Sequence, residues 1–291
     1  MTNKWLKVAL MAAAIATGTS IKIDAETVLY VPQDDRPVSL QYTVDTAREA
    51  GMTILTPPQN LISGKNYQGQ ADQIMAWVEQ NAGRADVMVL STDTLIYGGL
   101  VDSRKHNIPL STLESRLKRI ESLKARNKNV RIYGFGTVMR SPRASGGGTE
   151  PAYYAEYGPT IFQIAALQDK LDSGSLTQEE TQKLMSLQAS VPVEYLQDWF
   201  DRRQKNMKIN KELIDETRSG VFDYFALGHD DTSQLSQSAL ESRYLSKYSK
   251  DIPAEKYGSF PGADQLGLLL MARSRTCLLY TSPSPRDRSV S

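Results

Sequence analysis

His229, Asp230 and Asp231 stand side by side where the apolar run FDYFALG ends. Glycoside hydrolysis uses two carboxyl groups, one that protonates the leaving oxygen and one that stabilises or attacks the anomeric carbon. Adjacent aspartates suit the substrate-assisted variant, in which one orients an N-acetyl group and the next is the acid. Successive strand side chains point oppositely, so both can face one ligand only where the strand has already turned. The segment predicts Asp231 as acid/base and Asp230 as the orienting or stabilising carboxylate.

Polar residues also follow three other predicted strands. QDDRP follows the strand ETVLYVP, TDTLIYGG follows ADVMVLS, and MRSPR follows VRIYGFGTV. Ligands of parallel α/β folds bind beyond the carboxyl ends of the strands, so these side chains are expected to converge there. The residues predicted to bind substrate are Asp34, Asp35, Arg36, Asp93, Tyr97, Arg140 and His229.

Most of these residues also have a structural interpretation. Asp34 and Asp35, before Arg36, are typical of a turn in which one aspartate caps the next helix. Asp93 would cap the short segment that follows it, and Asp231 or Ser233 would cap the helix SALESRYLSKY. The last interpretation leaves Asp230 unexplained. The arginines at this edge would then only balance the aspartates, although a buried cluster of that kind is often functional because it is costly unless complete.

Strand-like runs alternate with helix-like segments along the chain, which predicts an α/β fold with a mainly parallel sheet flanked by helices. The pattern leaves open a doubly wound sheet or an incomplete β/α barrel; five clear strands favour the former. A run of predicted helices interrupts the alternation. We therefore predict an α/β domain over residues 26–145 and 221–276, with a helical insertion over 146–220.

Both ends of the chain have a pattern of their own. Lys4 and Lys7 precede the apolar run Val8 to Ala16, which predicts a signal peptide over residues 1–25 and an exported, periplasmic or extracellular protein. The segment CLLYTSPSPRD from Cys277 is similar to a translated sequencing adapter. We therefore predict a non-native tail over 277–291 and a truncated natural chain.

Composition excludes several classes of function. With 34 Lys and Arg against 33 Asp and Glu, no basic field for nucleic acid and no polybasic membrane patch is expected. Two histidines cannot form a His-rich metal site, so any divalent cation would need oxygen ligands. No organic cofactor is predicted, and the expected partner is a glycan or another small molecule.

Four motifs together resemble a bacterial family catalogued as domain of unknown function 4127. They are YVPQDDRPVS, DTLIYGGLVDSR, LGHDDTS and PGADQLGLLLMAR, in the family's order. The resemblance implies a longer natural protein, of which this is the N-terminal portion, and it implies no activity. Gln265 departs from the acidic residue that the family tends to carry.

Three functions are compatible with these residues. The first is an exported carbohydrate-active hydrolase of the glycosidase type. The second is a metal-dependent hydrolase, because the aspartates and His229 are an oxygen-rich set that would hold Mg²⁺, Mn²⁺ or Ca²⁺. The third is a non-catalytic protein that binds sugar or cell wall with the same edge.

Overall fold

The protein is described by a computed structural model that covers residues 25–144, 147–231 and 233–280, with side chains to residue 275. The predicted signal peptide up to residue 24 and the predicted tail from residue 281 lie outside the described residues. Gly146, in the glycine-rich segment SPRASGGGTE, also lies outside them.

Six parallel strands form one open sheet in the order β2-β1-β3-β4-β5-β6. The strands are β1 (Thr27–Val31), β2 (Thr53–Leu55), β3 (Val87–Ser91), β4 (Arg131–Val138), β5 (Tyr224–His229) and β6 (Tyr257–Pro261). From β1 the chain first adds β2 on one side of β1 and then adds β3 on its other side. The direction in which strands are added therefore reverses between β1 and β3. Ligand crevices of doubly wound sheets lie at such a switch point.

Helices connect the strands and cover both faces of the sheet. They are α1 (Gln41–Glu49), α2 (Ala71–Asn81), α3 (Thr92–Tyr97), α4 (Leu100–Lys105), α5 (Leu110–Arg126), α6 (Tyr154–Asp172), α7 (Gln178–Ser190), α8 (Val193–Ser219), α9 (Gln237–Tyr248) and α10 (Leu266–Tyr280). None of the helices within the described ranges is long and apolar enough to cross a membrane.

Alternation along the strands produces two apolar cores. In β1, Leu29 and Val31 pack with α2 and α5, whereas Val28 and Tyr30 pack with α1 and α10. Side chains of a strand alternate between the faces of a sheet, so an almost continuous apolar strand feeds both cores. The sheet is therefore buried on both faces, and polar residues are left for its edges.

The segment between β4 and β5 consists of three helices with a third core of their own. Tyr154, Ile161, Leu184 and Trp199 belong to that core. The C-terminal half of α8 instead packs on the sheet, where Ile209 joins the core shared with α5. The long helix α8 thus ties the helical segment to the sheet.

The predicted α/β class with a parallel sheet is confirmed, and the sheet is open rather than a closed barrel. The five predicted strands are present. A sixth strand, β6, was missed, because YGSFP is short and interrupted by glycine and proline and occupies the edge of the sheet.

Candidate functional site

A cavity of about 260 Å³ lies at the carboxyl edge of the sheet. Its walls combine acidic and basic side chains that follow different strands of the sheet. The charged residues that line it are Asp34, Arg36, Lys65, Arg104, Arg140, Asp230 and Asp264. Residues from all six strand ends thus converge on one small space.

The turn after β1 contains an arginine that forms ion pairs with two carboxylates. Asp34 is buried, with 4% exposed. Its Oδ1 accepts a hydrogen bond from the Arg36 backbone N–H at 3.2 Å, which closes the turn over three consecutive residues. Arg36 Nε donates to Asp34 Oδ2 and Arg36 Nη2 to Asp264 Oδ1, each at 2.7 Å. Burial opposes the charge of Arg36, but the bonds to Asp264 and Asp34 raise its pKa above the ordinary value. One guanidinium therefore joins the end of β1 to the residues after β6.

The YGGL motif positions Arg104. Gly98 ends α3 with φ +112°, a left-handed conformation that favours glycine. A Cβ on Gly99 would lie 1.8 Å from Ser63 Oγ, so a side chain there would clash. The two glycines start α4, whose Leu100 donates its N–H to the Gln33 carbonyl at 3.2 Å. Helix α4 is thereby fixed beside the end of β1.

Arg104 on α4 reaches across to the end of β5. Its Nη2 donates to Asp230 Oδ2 at 2.6 Å, with 5% of the arginine side chain and 27% of the aspartate side chain exposed. Burial and, next, the nearby Arg140 lower the pKa of Arg104 to about 10, although Asp230 partly offsets both. The guanidinium is thus buried with Asp230 bonded to it and with Glu150, Asp93 and the like charge of Arg140 nearby.

Arg140, after β4, pairs with a glutamate rather than an aspartate. Its Nε donates to Glu150 Oε1 at 2.7 Å, and its Nη2 donates to Thr149 Oγ1 at 2.6 Å and to the same glutamate. Glu150 is 3% exposed. The expectation that Arg140 balances the aspartates is therefore wrong, and its partner belongs to the glycine-rich segment.

Asp93 lies beneath the site and does not line the cavity. It is 3% exposed, and Thr137 donates its hydroxyl to Asp93 Oδ2 at 2.7 Å. Burial raises the pKa of Asp93 to about 6, against the lowering effect of the Thr137 bonds. The cap of α3 is Ser91, whose Oγ accepts from Thr94 N at 3.3 Å, so the interpretation of Asp93 as a cap is wrong.

Asp231 is turned away from the cavity that Asp230 lines. Its Oδ1 accepts from Ser233 N at 2.9 Å, and its Oδ2 accepts from Ser141 N at 3.3 Å. The cap of α9 is Ser236, whose Oγ accepts from Ala239 N at 3.1 Å, so neither Asp231 nor Ser233 caps that helix. The two adjacent aspartates thus have different surroundings.

Three further predicted residues also stay outside the cavity. Asp35 accepts a hydrogen bond from the Tyr67 hydroxyl. Tyr97 is buried, with its ring centroid 4.9 Å from that of His106. His229 lies between two serines, Ser242 and Ser259.

The hydrogen bonds of His229 define its tautomer. Ser242 donates its hydroxyl to the Ser238 carbonyl at 2.6 Å, so its oxygen accepts from His229 Nδ1, 2.7 Å away. The other ring nitrogen, Nε2, then accepts the hydroxyl hydrogen of Ser259. Burial lowers the pKa of His229, in keeping with a neutral ring.

The structure therefore unites Asp34, Arg36, Arg140 and Asp230, as the strand-end argument predicts, and adds three residues that it missed. Arg104 stands in an ordinary-looking helix, Asp264 follows the strand that was not recognised, and Lys65 lies ten residues beyond the short β2. Two signals were available: the DTLIYGGLVDSR motif contains Arg104, and the PGADQLGLLLMAR motif contains Asp264.

Metal binding by this edge has no obvious ligand set. Among the described residues, no group of three or more His, Cys, Asp or Glu side chains is arranged to hold an ion. The acidic residues at the cavity instead take guanidinium partners, as the Asp34–Arg36 and Arg104–Asp230 pairs show.

Comparison with known proteins gives one result about kinship. A family model described as "Protein of unknown function (DUF4127)" matches residues 28–283. No curated protein matches the chain. The matched range includes every described strand except for the first residue of β1, and the motifs that resemble the family line the cavity or adjoin it. The chain belongs to the DUF4127 family.

Proposed function

We propose that the chain is an exported carbohydrate-active hydrolase whose substrate binds in the cavity at the carboxyl edge of the sheet. The observation that carries the proposal is the convergence of Asp34, Asp230 and Asp264 with three guanidiniums in one cavity. Sugar hydroxyls both donate and accept hydrogen bonds, so a wall of alternating carboxylates and guanidiniums can satisfy them.

Asp230 is the carboxylate that we assign to the reacting centre. It lines the cavity, and Arg104 fixes one of its oxygens, Oδ2, at 2.6 Å. Both oxygens of Asp231 accept backbone N–H groups, so we assign it to holding the Ser141 segment in place. The sequence-based assignment of Asp231 as the acid stays a prediction that the experiments below address.

A second candidate is sugar binding without turnover. Each carboxylate that lines the cavity is paired with a guanidinium in the described structure: Asp34 and Asp264 with Arg36, and Asp230 with Arg104. A glycosidase needs one carboxyl group that holds a proton near neutral pH. Asp93 has a pKa of about 6, but it lies beneath the cavity. This observation favours a binding protein.

Export rests on the N-terminal pattern, because that segment lies outside the described residues. A charged start at Lys4 and Lys7 followed by a short apolar run is typical of a secretory signal. N-terminal sequencing of protein from a periplasmic fraction should find a mature end close to Glu26. Recovery of an intact Met1 from the cytoplasm alone would contradict export.

The test of hydrolysis is turnover of a panel of aryl glycosides, including N-acetylhexosaminides, with and without EDTA. We expect release of the aryl group that persists in EDTA and is lost in Asp230→Asn. The matched control is Asp45→Asn, which changes an aspartate that is 53% exposed and lies outside the cavity. Sugar binding without turnover would support the second candidate, and loss of turnover in EDTA would support a metal-dependent reaction.

A further inference from the structure

Arg104 has more hydrogen-bond donors than the described protein satisfies. A guanidinium carries five N–H groups. Within the described residues Arg104 makes one hydrogen bond, to Asp230, although only 5% of its side chain is exposed. Arg104 also lines the cavity. No Arg104 nitrogen is among the buried atoms that lack a partner within the described residues, so its unused N–H groups reach the cavity and are open to an acceptor that a ligand supplies.

The surrounding charges indicate what kind of acceptor is needed. Arg140 is close enough to lower the pKa of Arg104, and burial lowers it more. Asp230, Glu150 and Asp93 offset only part of these two effects, because the pKa of Arg104 stays at about 10. Lys65 lines the same cavity and makes no ion pair within the described part of the chain. An anion that accepts from the unused donors of Arg104 would also be attracted by Arg140 and Lys65, which line the same cavity.

The cavity lining around Arg36 carries more negative than positive charge. In this part of the lining, two carboxylates, Asp34 and Asp264, share the single guanidinium of Arg36. Carboxylate oxygens accept hydrogen bonds, so this part suits hydroxyl donors. We call the side chains of Arg104, Arg140 and Lys65 the basic wall of the cavity. The side chains of Arg36, Asp34 and Asp264 form its acidic wall.

We propose that the cavity binds a saccharide that carries a carboxylate, with the carboxylate on the basic wall and the hydroxyls on the acidic wall. This inference rests on the proposed function and names its substrate class. A carboxylate is planar and matches the fork of a guanidinium. Phosphate carries more charge and would face the carboxylates of Asp34, Asp230 and Asp264. The volume of about 260 Å³ suits a single sugar residue at this position.

Titration calorimetry on the full chain tests the preference. Methyl glucuronides and galacturonides of both anomers are each compared with the matching neutral methyl glycoside, and inorganic phosphate is titrated separately. We expect one uronide to bind about tenfold or more tightly than its neutral counterpart, as one charge-assisted hydrogen bond allows. Equal affinities, tighter binding of phosphate, or binding of none of these ligands would overturn the inference.

Two variants locate the preference in the basic wall. Arg104→Gln should abolish the preference for the uronide, and a thermal unfolding curve shows whether the variant is folded. Lys65→Gln changes an exposed residue and should weaken binding of the uronide by a larger factor than binding of the neutral glycoside. Its matched control is Lys118→Gln, an exposed lysine on α5 outside the cavity. An unaltered preference in folded Arg104→Gln would contradict the assignment.

Failure of this inference differs from failure of the proposed function. Turnover of neutral glycosides without any preference for uronides would overturn the inference and leave the hydrolase intact. Tight binding of a uronide without any turnover would support the inference and contradict the hydrolase.

Discussion

Two buried arginines, Arg203 and Arg104, have opposite surroundings. Arg203 is 1% exposed and donates from Nε and Nη2 to the two oxygens of Glu241, each at 2.7 Å. Its Nη1 donates to the Arg140 carbonyl at 2.9 Å and its Nη2 to the Met139 carbonyl at 2.6 Å. All three guanidinium nitrogens of Arg203 therefore have acceptors from the protein itself.

Arg104 is nearly as buried but has one protein acceptor within the described residues. The difference separates two uses of a buried charge. A complete network stabilises the fold, whereas an incomplete one at the edge of a cavity leaves donors that a ligand can use. Arg203 fixes α8 to the end of β4, and Arg104 faces the space where we expect substrate.

The largest expected effect is loss of stability on removing Arg203. Arg203→Ala leaves the buried carboxylate of Glu241 unpaired, so the free energy of unfolding should fall by about 3–5 kcal/mol. Urea denaturation measures this loss. The double variant Arg203→Met/Glu241→Leu removes both charges and should recover much of it. A loss below about 1 kcal/mol in the single variant would show that the network is not structural.

The next largest effect on stability is expected at the buried carboxyl of Asp93, which lies under the cavity. Its folded-state pKa of about 6 is above the ordinary 3.8, so the folded protein keeps a proton that the unfolded chain loses. This contribution to stability is present below about pH 4 and is lost as the pH rises through about 6. The stability of Asp93→Asn relative to the wild type should therefore rise by about 2 kcal/mol between pH 4 and pH 7. A difference that does not change with pH would contradict the raised pKa.

A smaller effect is expected in the helical segment, far from the cavity. Thr177 caps α7, and its hydroxyl and the Glu180 side chain form a reciprocal capping box. Thr177→Ala should lower the free energy of unfolding by about 1 kcal/mol. Sugar binding and turnover should stay at the wild-type level. A change in affinity would show that the helical segment contributes to the site.

The smallest effect on stability should come from Arg104→Gln, the counterpart of the first variant. Loss of the single hydrogen bond to Asp230 is offset by removal of a buried, incompletely paired charge. We expect a change in the free energy of unfolding of about 1 kcal/mol or less. A loss as large as that of Arg203→Ala would remove the distinction between the two arginines.

Sequence reasoning reached the fold class and about half of the cavity for identifiable reasons. Apolar strands buried on both faces have a strong pattern, and the strand ends then locate Asp34, Arg36, Arg140 and Asp230. The argument from strand ends uses no side-chain direction, so it also named Asp35, Asp93, Tyr97 and His229, which do not line the cavity.

The remainder depends on tertiary contacts that no local pattern contains. Arg104 resembles an exposed helix residue, and only the close packing of Gly99 on Ser63 buries its helix. Asp264 was missed together with the edge strand β6. The different surroundings of Asp230 and Asp231 arise from the turn that follows β5, where Asp231 binds the backbone of Ser141 and Ser233.

The most direct test of the central claim compares kcat/KM of Asp230→Asn and Asp231→Asn on the best glycoside of the panel. We predict a loss of about 10²- to 10⁴-fold in Asp230→Asn, with only a small loss of stability, because the asparagine oxygen still accepts a hydrogen bond from Arg104. Asp231→Asn should lose less activity and more stability, because its oxygens hold two backbone segments. Wild-type turnover in Asp230→Asn, or a greater loss in a stable Asp231→Asn, would contradict the assignment of the cavity as the active site.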